Sequence, residues 1–229
     1  SYISRQALRY NMIQQLGWDT TPVDGKSGVV QFASSASIVD YPEIDLFGYM
    51  KTSSKEDDKK GGAMTRSAVV RLSNAVALEP YKSDLEFLTN MGLARRQNLE
   101  NGIAQSEIHR SLYTYTITID LEKIGKDEEI ELSIDEKTER VNQLLDIVKI
   151  LNREIRGREE NLSPVFVIGG MYDINSPFFL GRIKLNGKNG EFSIDTEMLK
   201  DTTTLTIGDK SIYDDTNVGM LKNTFKNEK

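Results

Sequence analysis

Leu8, Met12, Ile13 and Leu16 recur at three- and four-residue intervals and predict a helix over 4–16. Ser4 stands where an N-cap belongs, and Gly17 where a helix stops. Arg5 and Arg9 are four apart on another face, with Gln6 beside them. Residues 18–28 are rich in turn formers, and 29–41 have weak strand character. A strand is predicted over 45–51. The segment 52–64 (TSSKEDDKKGGAM) has no apolar period and is expected to be mobile. Residues 66–77 resume as a strand with Ala68, Val70 and Leu72 on one face. A long excursion follows over 79–110, broken at Gly92 and Gly102.

Residues 112–121 alternate most clearly. Tyr113, Tyr115, Ile117, Ile119 and Leu121 share one face; Thr114, Thr116 and Thr118 share the other. Val141, Leu144, Leu145, Val148, Leu151 and Ile155 predict a second helix over 139–156, stopped by Gly157. A strand follows over 165–172, with a Gly169-Gly170 break, then short strands near 181–185, 191–194 and 204–207. The polar tail beyond Asp209 is expected to fray.

Two helices with one apolar stripe each must cover one face of a sheet. The order helix, strand, strand, strand, helix, strand predicts an α+β fold. It is close to the ferredoxin-like β-α-β-β-α-β order with its first strand missing, and that strand is expected upstream of Ser1. The 229 residues then form a single domain (1–229) with insertions at 18–43 and 79–110 and an acidic hairpin at 120–136.

Composition narrows the chemistry. There is no cysteine, which excludes disulfides, thiolate metal sites and cysteine nucleophiles. There is one histidine, His109, so multi-histidine metal sites are excluded as well. No apolar run is long enough to span a membrane and no signal peptide opens the chain, so a cytoplasmic protein is expected. The net charge of −6 resides in 120–136, where eight acids face Lys123 and Lys126. The remainder is neutral on balance, so the overall charge does not exclude a nucleic-acid partner.

Gly25-Lys26-Ser27 suggests a phosphate loop, but Thr20 stands where its first glycine belongs and no strand precedes it. The acidic segment lacks the spacing of a calcium loop and reads as a solvated hairpin. Asn161-Leu162-Ser163 is a glycosylation triplet by letters only. His109, beside Ser106, Glu107 and Arg110, fits either a packed histidine or a catalytic base. The start of the first helix combines a positive dipole end, the Ser4 hydroxyl, Arg5 and Arg9, a pattern suited to a phosphate.

Several strings occur together: Ser4-Arg5-Gln6-Ala7-Leu8-Arg9, Asp45-Leu46-Phe47-Gly48-Tyr49-Met50, Arg66-Ser67-Ala68, Asp84-Leu85-Glu86-Phe87, Glu107-Ile108-His109-Arg110-Ser111-Leu112-Tyr113 and Asn152-Arg153-Glu154-Ile155-Arg156-Gly157. Over residues 1 to about 200 the chain resembles the backbone subunit of type I CRISPR Cascade complexes, most closely the DevR family of type I-B systems. The resemblance implies a modified RNA-recognition-motif palm with fingers at 18–43 and a thumb at 79–110. It implies a non-catalytic subunit, with no cofactor and no metal. Such a subunit binds CRISPR guide RNA, polymerises with copies of itself into a helical filament, joins other Cascade subunits and meets target DNA through the guide. Ser4, Arg5, Gln6 and Arg9 would take phosphate or sugar contacts. Met50 would wedge between bases beside Lys51 and Thr52, and Arg66 is counted as a further RNA contact. Phe87 would support a displaced base, and Arg95 and Arg96 lie near the thumb tip. The rival readings are an RNA-processing endoribonuclease of the same fold using His109, and a scaffold that binds no nucleic acid.

Overall fold

The computed structural model describes residues 1–25, 28–52, 62–188 and 190–227. It is a mixed α+β fold, with five helices and a set of small antiparallel sheets among the described residues.

Helix α1 (Arg5–Leu16) forms as its period predicts. Ser4 caps it by accepting from the Ala7 N–H, and Gly17 closes it in the left-handed region at φ 66°. A two-residue strand, Tyr2–Ile3, precedes α1 within the chain, where the sequence pattern shows none, and pairs antiparallel with Val76 and Ala75. The two long strands foreseen over 66–77 and 112–121 are both interrupted. Tyr113–Thr114 pairs with Ala77 and Val76, and Ile117–Ile119 with Val70–Leu72. Between these ladders, Tyr115 and Thr116 face three residues, Ser73, Asn74 and Ala75. The extra residue makes a bulge. There Thr116 N–H donates to the Ser73 hydroxyl at 2.9 Å, and Ser73 N–H to the Thr116 carbonyl at 3.1 Å. The bulge turns Asn74 toward α1, where its side-chain oxygen accepts from Arg5 N–H at 2.9 Å. The neighbour order sets 75–77 between 2–3 and 113–114.

Residues 45–51 are not one strand. Pro42–Phe47 is helix α2, and the strand begins at Tyr49. Pro42 sits in the first helical turn, where its missing N–H costs nothing, and Glu43 and Asp45 complement the dipole. Gly48 separates the two at φ 73°; a Cβ there would lie 2.4 Å from the Arg66 carbonyl oxygen. Tyr49–Thr52 pairs with Ala63–Arg66. Residues 53–61, the centre of the segment expected to be mobile, lie outside the described residues, as do Lys26 and Ser27 of the phosphate-loop string.

The excursion 79–110 is a hairpin of two seven-residue strands, Ser83–Thr89 and Ile103–His109, with the short helix α3 (Met91–Ala94) at its tip. The acidic segment contains the hairpin Lys126–Asp127 with Ile130–Glu131. Helix α4 runs over Ile134–Lys149, earlier than the apolar period suggests, because Ser133 and Glu136 form a capping box. It also ends earlier. Asn152–Ile155 folds back on Arg158–Asn161 across Arg156 and Gly157, which both have positive φ. Two adjacent left-handed residues make a tight hairpin turn and break the helix.

Helices α1 and α4 cover one sheet face. Leu8, Met12 and Ile13 meet Leu144, Ile147 and Leu151 over Val70, Ala75, Tyr113, Tyr115, Ile117 and Ile119. A second cluster joins Ala36, Ile38, Ile44 and Tyr49. The third lies in the C-terminal part and corrects the expected fraying. Thr216–Met220 pairs with Phe166–Gly170, and Phe225 is buried with Phe179, Ile194 and Leu199. Its apolar residues are too widely spaced to show a period. Helix α5 (Thr196–Thr203), capped by Asp195, is a further element that the apolar pattern does not foretell.

One buried charge joins these parts. Asp45 is 0% exposed. Its carboxylate pairs with Arg66 at 2.6 Å and Arg140 at 2.8 Å, and accepts from Gly125 N–H at 2.9 Å. Removing one partner of a buried ion pair leaves an uncompensated charge, at a cost of roughly 3–5 kcal/mol. Asp45→Ala is expected to lose about that much in urea unfolding, while Asp45→Ala with Arg140→Met loses less than the two single changes together. Additive losses would show that the two groups act independently.

Candidate nucleic-acid interface

At the start of α1, Arg5, Gln6 and Arg9 are exposed, and no acidic residue occupies the first turn. Ser4 and Asn74 already satisfy two of the first-turn N–H groups. What the helix offers an anion is therefore its dipole and two guanidiniums more than free backbone donors. The Arg9 guanidinium lies 5.7 Å over the ring of Phe47, which brings it to the edge of the Tyr49–Thr52 strand.

That strand alternates inward and outward. Met50 points out and is 57% exposed. Lys51 points in and is 4% exposed. Its ammonium donates to the Ala36 carbonyl and sits 3.9 Å over the Tyr49 ring. Burial holds its pKa below the usual lysine range. Thr52 is clasped to Gln31: its N–H donates to the Gln31 side-chain oxygen at 3.1 Å, and the Gln31 amide donates to the Thr52 hydroxyl at 2.7 Å. Arg66 is turned inward. It donates to the Asp45 carboxylate and carbonyl, to the Lys123 carbonyl at 2.9 Å and to the Lys126 carbonyl. Of the residues expected here, Met50 keeps a free face, whereas Lys51 and Arg66 serve the interior. The next acid out, Asp127, accepts from the Tyr49 hydroxyl at 2.8 Å. Burial and that bond push the Tyr49 pKa up to about 12.

Beside Met50 lies an open groove of about 500 Å³, lined mainly by valines of the Val23–Asp24/Gln31–Phe32 hairpin and by Phe47, Gly48 and Tyr49. Nothing in the sequence pattern marks it, because Val23 lies in a turn-rich stretch and Val29 and Val30 look like ordinary weak-strand residues.

The long hairpin has two unlike sides. Leu85, Phe87 and Ile103 share one through the pairs Leu85–Glu107, Phe87–Gln105 and Thr89–Ile103, and all three are exposed, Phe87 at 65%. On the other side Arg158 bonds Glu86 at 3.1 Å and Arg156 donates to the buried Ser106 hydroxyl. The 152–161 hairpin thus covers that side. Arg95 and Arg96 are exposed at the tip. At the root, the His109 ring stacks on Tyr81 at 5.3 Å and meets Tyr113 edge-on at 5.8 Å. Its Nδ1 contacts the Tyr113 hydroxyl, and its Nε2 is buried without a partner. Among the described residues no group of three or more His, Asp or Glu could hold a metal ion, and no helix is long and apolar enough to cross a membrane.

Residues 1–188 match a protein-family model described as CRISPR-associated negative auto-regulator DevR/Csa2. No curated protein matches the chain. The family match takes in α1, the groove, the long hairpin and α4, and ends within the C-terminal cluster.

The two buried groups on the Tyr49–Thr52 strand predict opposite pH behaviour. Unfolded Tyr49 ionises near 10.0 but the folded group only near about 12. The stability it contributes is whole below pH 10 and is lost as pH rises toward 12. Tyr49→Phe is expected to flatten the fall of unfolding free energy over that window. Lys51 has a lowered folded pKa, so its burial penalty eases as pH rises toward 10.5. Lys51→Met is expected to exceed the parent in stability at neutral pH and to lose that advantage toward pH 10.5. Urea titrations across the alkaline range check both; parallel curves for parent and variants would contradict them.

Proposed function

Because the chain belongs to the DevR/Csa2 family of CRISPR-associated proteins, we propose that it is a non-catalytic subunit that binds CRISPR guide RNA and polymerises along it as the backbone of a type I-B Cascade complex. The observation that carries this reading is the pair Arg5 and Arg9, exposed on one helix start with no acid in its first turn, beside an apolar groove. Cations for phosphates and apolar surface for bases are what sequence-independent binding of a single strand requires. Ser4 and Gln6 stand at the same helix start, and Met50 at the groove. The element order along the chain supports an RNA-recognition-like palm, with 18–43 as short fingers and 79–110 as thumb. In this reading the protein works in the cytoplasm, beside copies of itself and other Cascade subunits, and meets target DNA through the guide.

The uncovered side of the long hairpin, with Phe87, and its Arg95-Arg96 tip suit a clamp on RNA shared with a neighbouring copy. The rival reading, an endoribonuclease using His109, requires an imidazole nitrogen that reaches substrate. Here one nitrogen contacts Tyr113 and the other is buried, which supports a packing role.

Arg5→Gln and Arg9→Gln are each expected to weaken binding of any single-stranded RNA and to lower the salt slope by about 0.7 for each phosphate that is no longer neutralised. Filter binding at several salt concentrations reads both; unchanged slopes would falsify the helix assignment. Replacing residues 90–101 by a Gly-Ser bridge leaves both hairpin strands intact. The shortened chain is expected to bind RNA weakly as single subunits without forming regular filaments in electron micrographs. Filaments of parental pitch would remove the clamp from the reading.

A further inference from the structure

Resting on the reading of the chain as a filament-forming subunit, we propose that the C-terminal part carries an acidic-rimmed apolar docking surface around Met171 and Tyr213. Its occupant is the Arg95-Arg96 tip of the long hairpin of a second copy. Short contacts assemble the surface. Gly170 pairs with Thr216, and the Tyr172 and Thr216 hydroxyls meet at 2.9 Å. Lys210 donates to Asp173 at 2.9 Å, and Ile212 N–H donates to the Leu205 carbonyl at 3.1 Å. Residues 171–174 therefore lie beside 205–215. The approach is close enough to demand glycine: a Cβ at Gly170 would lie 1.8 Å from the Asp215 carbonyl oxygen. Met171 is 74% exposed and Tyr213 69%, with Ile174 and Leu205 exposed as well. Scattered apolar residues need no partner, but large ones gathered on one surface and rimmed by charge mark an interaction site.

Charge selects the occupant. Residues 201–221 hold four aspartates, Asp201, Asp209, Asp214 and Asp215, and one basic residue, Lys210, which Asp173 engages. Asp209, Asp214 and Asp215 are exposed and enter no ion pair among the described residues. Such a surface repels a phosphate backbone and attracts cations. The hairpin tip is its complement. Residues 90–99 hold Arg95 and Arg96 and no acid. Both arginines are exposed, as are Leu93 and Leu99. The tip is also preformed. The Asn90 side-chain oxygen accepts from Gly102 N–H at 2.7 Å, Leu99 N–H donates to the Ala94 carbonyl at 2.9 Å, and Ala94 is buried. A shape that exists before binding gives up less entropy on docking.

The tip suits protein better than RNA. Single strands are held by stacking on flat rings, and residues 90–101 contain no aromatic side chain. Arginines beside large apolar side chains fit an apolar patch with an acidic rim. Arg95 and Arg96, which the family resemblance sets among the RNA contacts, are thereby assigned to protein. All four aspartates and Tyr213 lie beyond residue 188, where the family match ends. Tip and surface are different patches of one chain, so their contact is heterologous: each copy offers its tip to the next and receives one from the copy before. A contact of that kind propagates, as a filament along a guide requires, and leaves one tip and one surface empty at opposite ends.

The chain has no cysteine, so disulfide cross-links report only engineered positions. Full chains carrying Leu93→Cys, Tyr213→Cys or both are oxidised with and without a long oligouridylate, and thermal melts establish that each variant folds. The double variant is expected to give a ladder of multimers on a non-reducing gel, and a mixture of the two single variants to stop at dimers. In that double-cysteine chain, Arg95→Glu with Arg96→Glu, or Asp214→Lys with Asp215→Lys, is expected to abolish the ladder and the filaments seen by electron microscopy. All four charge changes in one chain are expected to restore both. The aspartate variant is expected to bind an oligouridylate sized for one copy no more weakly than the parent. If filaments form without a ladder, or survive either charge reversal, the docking surface is overturned and the filament reading stands. If the four changes together restore nothing, the arginines serve RNA and the docking surface is overturned likewise. If the parent binds no RNA yet the ladder forms, the contact is upheld and the guide-binding reading fails.

Discussion

Much of the half of this molecule that holds the groove depends on a single carboxylate that never meets water. Asp45 sits on a six-residue helix too short to be stable alone, and it engages two guanidiniums and a backbone amide. Each partner comes from a different element. Arg66 ends the strand that pairs with Tyr49–Thr52, Arg140 lies on α4, and Gly125 opens the acidic hairpin. The arginines use their remaining donors on carbonyls of 38, 39, 123 and 126, so no charge is left bare. Desolvating three ions is expensive and the attraction among them does little more than offset it. What the arrangement contributes is geometry: only one mutual placement of these elements satisfies all three groups.

That placement explains why two basic residues face the interior against expectation. The family resemblance implies RNA contacts for Lys51 and Arg66, and a charged residue is normally assumed to face solvent. Strand alternation puts Lys51 on the same side as Tyr49, and the ring and the Ala36 carbonyl replace its water. Arg66 follows from Asp45, and nothing local marks Asp45 as buried. Pairing across twenty-one residues is tertiary information, absent from any window of sequence.

Local signals are most legible where the period is long and the ends are marked. Helix α1 can be read from Ser4 to Gly17, as can the two-sided character of 113–119, because each encodes its own repeat. The second helix is legible in its middle but not at its ends. Leu151 and Ile155 continue the helical spacing, yet Arg156-Gly157 supports a hairpin turn and Leu151 is buried by its own route. The bulge at Ser73-Asn74 is invisible in sequence, since an extra residue shows only against a partner strand. Among the site residues, Arg5 and Arg9 follow from pattern and Met50 from the family resemblance. Asn74 and the valine-lined groove require the assembled fold.

The brace between the 152–161 hairpin and the long hairpin has a mechanical meaning. Each strand of that arm has seven residues, about 24 Å at roughly 3.4 Å per residue. A lever of that length magnifies error: a tilt of about 10° at the root carries the far end roughly 4 Å, more than a hydrogen bond tolerates. Arg156 and Arg158 grip the arm along its flank, at Ser106 and Glu86, and not only at its base. Stiffness is thus added at the central rung of the arm, where Glu86 pairs with Ser106. In any assembly whose members touch through the arm, the repeat distance becomes a property of the protein and is not dictated by the strand it follows.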